Sequence, residues 1–92
     1  MSVRFGIGVD VHRLVDGEKL VLGGVTIPHG RGLAGHSDGD ALTHAVVDAL
    51  LGAAGLGDIG THFPSSDDRY RGVASIGLLS QIVEMIGERD WR

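Results

Sequence analysis

Gly35-His36-Ser37-Asp38-Gly39-Asp40-Ala41-Leu42-Thr43-His44 is the stretch on which the reading of this chain turns. Two histidines, two aspartates and a serine fall within it, and it then passes into a run of helical period. Ala41, Leu42, Ala45, Val46, Ala49, Leu50 and Ala53 recur at i, i+3 and i+4, which predicts a helix starting at Asp38 or Gly39. Ser37, Asp38 or Asp40 can serve as its N-cap, and Gly55 as its C-cap. His44 and Asp48 are four residues apart and share a face that differs from the apolar stripe. His36 and Ser37 sit just ahead of the helix, where backbone N–H groups and the helix dipole favour an anion.

Upstream, Val3, Phe5, Ile7, Val9 and Val11 alternate strictly, which predicts a strand with one buried face. Gly6, Gly8, Asp10 and His12 fall on the other face. Two glycines on one face imply close approach by another backbone or by a ligand. The D-x-H spacing points Asp10 and His12 the same way. A histidine on a helix packed over that strand completes a set of two imidazoles and a carboxylate. Such a set suits zinc and leaves a fourth position open. Asp48, one turn after His44, can orient a ligand from behind. On spacing alone the other reading stands: polar residues at a strand end, and a helix-surface histidine.

Val15 to Glu18 reads as a turn, and Leu20–Leu22 and Val25–Ile27 as a hairpin around Gly23-Gly24. Pro28 stops the second strand, and His29 to Gly32 reads as loop. Gly55 to Arg71 is a long Gly-rich polar connection. Within it Asp58 can accept from polyol hydroxyls or form an Asx-turn, and Phe63 to Asp67 can form the turn into the next helix. His29 and His62 read as exposed loop residues. A second helix is expected from Ser75 through Ile86. Ile76, Leu79, Val83 and Ile86 lie on one side, Leu78, Ile82 and Met85 widen the stripe, and Gly87 ends it.

Ninety-two residues make one domain, residues 1–92, whose stability is marginal unless a metal or partner subunits help. With one tryptophan, one tyrosine and two phenylalanines, that core is aliphatic. A net charge of −4 with no basic run argues against nucleic acid as partner. The absence of cysteine removes disulfides and thiolate zinc sites and fits a cytoplasmic protein. No secretory h-region follows Met1, and no apolar run approaches the roughly 20 residues of a membrane span.

Several motifs together carry a family resemblance. They are D-V-H-R-L at Asp10–Leu14, H-S-D-G-D at His36–Asp40 with His44 following, D-A-L-L-G-A-A-G-L-G-D-I-G at Asp48–Gly60, and F-P-x-x-D at Phe63–Asp67. Their order and spacing resemble the 2-C-methyl-D-erythritol 2,4-cyclodiphosphate synthases of the non-mevalonate isoprenoid pathway. The resemblance implies an α+β fold, a mixed sheet with helices packed on one face. It implies zinc held by Asp10, His12 and His44. It implies substrate contacts from Asp10, Val11, His12, His36, Ser37, Asp58, Ile59, Gly60, Phe63, Pro64, Ser65, Ser66 and Asp67, with His36 stabilising the transition state as a catalytic residue. It implies conversion of 4-diphosphocytidyl-2-C-methyl-D-erythritol 2-phosphate into the cyclic diphosphate and CMP, in a cytoplasmic homotrimer with active sites between subunits.

Two departures bear on that expectation. Ser65 stands where family members often carry Asp. The family's cytidine-binding segment, and a Thr-Thr-x-Glu stretch that ligates a second ion, Mg or Mn, lie past Arg92. The sequence therefore reads as the family's N-terminal zinc-binding portion, C-terminally truncated. The rival readings are a metal-dependent phosphohydrolase, with water as nucleophile, and a non-catalytic fragment that binds metal or assembles.

Overall fold

The computed structural model describes residues 2–35 and 37–92. Four short strands come first: β1 (Leu14–Asp16), β2 (Leu20–Leu22), β3 (Val25–Ile27) and β4 (Arg31–Leu33). Helices α1 (Ala41–Ala54) and α2 (Ile59–His62), a 3-10 turn (Asp68–Tyr70) and α3 (Ser75–Gly87) follow. The class is α+β, with the strands paired as two antiparallel two-stranded ladders among the described residues. None of the described helices is long and apolar enough to cross a membrane.

The expected β2–β3 hairpin is present, with Leu20 opposite Ile27 and Leu22 opposite Val25. Gly23 and Gly24 have φ of 62° and 79°, the left-handed pair that a tight two-residue hairpin turn needs. The second ladder corrects two expectations. Val15 and Asp16 lie in β1 rather than in a turn, and Arg31 and Gly32 lie in β4 rather than in a loop. These strands are three residues long, too short to show a period. Cross-strand pairing and the Asp16–Arg31 ion pair, Nε to Oδ1 at 2.9 Å, define them instead.

Helix α1 starts at Ala41 under the Asp40 cap and ends at Gly55, whose φ of 72° is the left-handed C-cap. Its buried face is Thr43, His44, Val47 and Leu51. The predicted stripe was drawn on the wrong side: Leu42 and Val46 are exposed. Ala45, Ala49 and Ala53 of that stripe meet the N-terminal run. An ideal Cβ on Gly6 would collide with the Ala49 carbonyl, and one on Gly8 with the Ala45 carbonyl. Small residues on both sides permit this approach, while the bulk at Val47 and Leu51 turns toward α3. There Leu78 and Ile82, residues expected only to widen the stripe, form the core, and Ile76 and Val83 are exposed. Leu50, Leu56, Ile59, Phe63, Leu79, Met85 and Ile86 pack around Val47, Leu51 and Ile82. Full burial of such a side chain contributes roughly 1.5–3 kcal/mol, so this centre carries much of the stability.

The N-terminal run matches its prediction on one face only. Residues 4–8 cross α1, with Arg4 Nη1 donating to the Ala53 carbonyl at 3.3 Å. The glycine face meets a backbone, as expected. The apolar face does not lie inward: Val3, Phe5, Ile7, Val9 and Val11 are 73–90% exposed. No ladder partner flanks this run among the described residues, so it is not assigned as a strand.

Candidate metal centre

Beyond Gly8 the same run delivers Asp10 and His12 to the N-terminal half of α1, beside His44. One ligand atom from each of the three lies within 4.8 Å of the others. His44 Nδ1 is 3.2 Å from Asp10 Oδ2 and 3.2 Å from His12 Nε2, and His12 Nε2 also closes on Asp10 Oδ2. Tetrahedral zinc with bonds of about 2.0–2.1 Å separates its ligands by about 3.3 Å, close to the two spacings His44 Nδ1 makes, and the three groups could hold a metal ion. His12 Nδ1 lies 2.6 Å from the Ala34 carbonyl, which can only accept. With a metal ion taking the Nε2 lone pair, the ring proton of His12 would sit on Nδ1 and be donated to that carbonyl.

Around the cluster, Asp48 departs from its expected role, and Asp40 takes the capping role the sequence offered for it. Asp48 does not reach a ligand; its Oδ1 accepts from the Ile59 N–H at 2.7 Å and starts α2. The N-terminus of α1 is filled by the chain's own carboxylate. Asp40 accepts from Thr43 N and Oγ1 at 3.0 and 2.8 Å, and from the N–H groups of Gly23 and Gly24 at 2.9 and 2.8 Å. Burial pushes the Asp40 carboxyl up, but the N–H groups of Thr43, Gly24 and Gly23 and the Thr43 hydroxyl outweigh it and hold the carboxyl below its ordinary range. Asp38 likewise occupies the start of α3, accepting from Ser75 N at 3.0 Å. Ser75 Oγ lies 2.7 Å from His44 Nε2. Sequence reading missed Ser75 as part of the site because it lies 31 residues beyond His44.

A cleft of about 270 Å³ opens over the cluster. Of the expected substrate contacts, Asp10, Val11, His12, Ser37, Ile59, Gly60, Phe63 and Ser65 line it, with His44, Tyr70 and Leu78. Phe63 and Tyr70 meet edge to face, ring centres 5.3 Å apart, and build one wall. Asp58, Pro64, Ser66 and Asp67 are not among its lining residues. Asp58 caps α2 through Thr61 N and Oγ1, both at 2.9 Å, and those bonds hold its carboxyl below the usual range, the Thr61 hydroxyl foremost. Asp67 caps the 3-10 turn and pairs with Arg69. His36 lies outside the described residues. Exposed His29 takes the Arg31 N–H at 3.0 Å, and half-buried His62 meets the Leu56 carbonyl at 2.7 Å. Among the described residues no lysine or arginine lines the cleft. An anionic occupant would draw its countercharge from a metal or from backbone and histidine donors.

A family model described as the YgbB family matches residues 3–92. A curated relative from Dechloromonas aromatica (strain RCB), the 2-C-methyl-D-erythritol 2,4-cyclodiphosphate synthase, is 62% identical over 92 residues, all of this chain and 58% of its own length. The fold superposes on a solved 2C-methyl-D-erythritol-2,4-cyclodiphosphate synthase with a TM-score of 0.88 at 48% identity, covering 95% of this chain and 58% of that one. A CDP-bound form of such a synthase gives 0.87 at 48% identity, with coverage of 95% and 58%. The chain thus spans a little over half the length of these proteins.

Proposed function

The chain belongs to the YgbB family, and on that premise we propose that it carries the metal side of a cyclodiphosphate synthase active site. The reaction is cyclisation of 4-diphosphocytidyl-2-C-methyl-D-erythritol 2-phosphate to the 2,4-cyclodiphosphate with release of CMP, a step of non-mevalonate isoprenoid synthesis. The observation that carries this reading is the convergence of Asp10, His12 and His44 in a cleft that no lysine or arginine lines among the described residues. A similar synthase solved with CDP supports a cytidine nucleotide in the substrate.

Asp10, His12 and His44 would hold zinc, which when bound supplies the positive charge that polarises the attacked phosphate. The nucleophile is the substrate's own 2-phosphate, largely dianionic near neutrality because its second pKa is about 6. No protein base is then required, and the chain's task is positioning. Ser37 offers a hydroxyl at the cleft, and His36, its neighbour in sequence, donates to the transition state in this reading. Ile59, Gly60 and Phe63 enclose the carbon skeleton, and Ser65 takes a hydroxyl contact where relatives often place a carboxylate. Asp58, Pro64, Ser66 and Asp67 shape the loop that carries this wall. The reading carries with it a single domain over residues 1–92, a second divalent ion, Mg or Mn, a trimer with sites between subunits and a cytoplasmic setting.

Two measurements test it. Elemental analysis should find close to one zinc per chain, and close to none after Asp10→Ala or His44→Ala; unchanged zinc in both variants would sink the site assignment. Phosphorus NMR of turnover by the zinc-loaded protein, completed with the C-terminal part that its relatives carry, should find a cyclic diphosphate beside CMP. A linear phosphate product would make water the nucleophile and overturn the cyclisation.

A further inference from the structure

We propose that Ser75, oriented by Asp38, is a positioning residue that decides which ring nitrogen His44 presents to the metal. The proposal rests on the reading of Asp10, His12 and His44 as ligands. Ser75 is completely buried and opens α3. Its Oγ donates to Asp38 Oδ1 at 2.5 Å, and its N–H donates to Asp38 Oδ2 at 3.0 Å. A hydroxyl has one proton, and a carboxylate only accepts, so that proton is committed to Asp38. Toward His44 Nε2, 2.7 Å away, Ser75 Oγ can then offer only a lone pair. Asp10 Oδ2, 3.2 Å from His44 Nδ1, is also acceptor-only and competes for the ring proton; a metal ion held at the cluster would take the Nδ1 lone pair instead and leave the proton on Nε2, where Ser75 Oγ accepts it. Ser37 Oγ lies 3.1 Å from both Ser75 Oγ and His44 Nε2; with the Ser75 proton on Asp38 and the ring proton on Nε2, it donates to Ser75 Oγ and accepts from Nε2.

The two histidines thus present opposite nitrogens, Nε2 of His12 and Nδ1 of His44, and different parts of the fold set the choice. Partners of this kind on metal-ligating histidines fix the tautomer and the ring orientation. A purely structural role for Ser75 is separable. Ala74, the N-cap of α3, makes no side-chain capping bond, and the bond from Ser75 N–H to Asp38 serves that need. Ser75→Ala keeps this backbone bond and removes only the hydroxyl.

The test compares the chain with Ser75→Ala, Ser75→Thr and Asp10→Ala. Nitrogen-15 NMR of the zinc-loaded protein at about pH 8, above the ordinary imidazole pKa of about 6.5, reads which His44 nitrogen is metallated and which is protonated. Zinc titration calorimetry reads affinity. The expected result is Nε2-protonated His44 in the parent chain and a tautomer mixture in Ser75→Ala. Zinc affinity should fall 10–100-fold in Ser75→Ala and recover in Ser75→Thr. Should Ser75→Ala lose its helical circular dichroism, Asp38→Asn takes its place, with the same direction expected in both readouts. Nδ1-protonated His44 in the parent chain, or an unchanged tautomer and affinity in Ser75→Ala, overturns the proposal. Retained zinc in Asp10→Ala would overturn the metal reading instead.

Discussion

The carboxylate of Asp40 is fully buried and ties the hairpin turn at Gly23-Gly24 to the first turn of α1. Its removal leaves buried N–H groups without an acceptor, each costing about 1–3 kcal/mol, and deletes a helix cap. Asp40→Ala should therefore destabilise by about 3–5 kcal/mol in urea unfolding; a loss under about 1 kcal/mol would show that water replaces the carboxylate freely. The same group gives an acid dependence. Its folded pKa lies below the unfolded value of 3.8, so around that pH the unfolded chain binds more protons and stability rises with pH. The contribution is complete well above pH 3.8 and is lost as pH falls through the folded value. In Asp40→Asn the stability profile between about pH 5 and 2 should be flatter than in the parent. The capping role was legible in the sequence to within three candidate residues, because caps are local. The bonds to Gly23 and Gly24 were not, because their donors lie 17 and 16 residues away.

At the scale of elements, α1 is a wedge with two working faces. Val47 and Leu51 pack on α3, and the carbonyls of Ala45 and Ala49 receive residues 6–8. Periodicity located the helix and both of its caps but chose the wrong face, since alanine counts as apolar whether it fills a core or only makes room. The glycines of the N-terminal run carried the missing information: a close approach was legible, its partner was not. Gly8→Ala would place a methyl group on the Ala45 carbonyl and push the run off the helix. Thermal melting should drop, and zinc binding should weaken with it, because Asp10 travels with Gly8. Gly52→Ala is the contrast. Nothing lies within 4 Å of its would-be Cβ in the interior of the same helix, and the exchange should stabilise by about 0.5–1 kcal/mol. If both variants melt alike, the approach at Gly8 is not a constraint.

For the whole molecule, the apolar side chains of residues 3–11 remain 73–90% exposed, a stripe with Phe5 at 90%. Exposed apolar stripes of this kind mark association surfaces. Sedimentation should find concentration-dependent association of the chain, reduced by Phe5→Glu; a monomer at all concentrations would argue that the stripe stays wet. The alternation of this run was legible, and the side covered was not, because a strand pattern does not reveal which layer lies on which face. The way the run meets α1 has a further effect. Two extended residues advance about 6.6 Å and four helical residues about 6 Å, so the two backbones stay nearly in step. Only Gly6 and Gly8 can lie over Ala49 and Ala45. A slip of two residues would bring Asp10 or Arg4 onto a carbonyl that admits no side chain. The missing side chains thus index the run against the helix like notches on a key. His44 meets Asp10 and His12 because every neighbouring alignment is blocked by shape before any metal arrives.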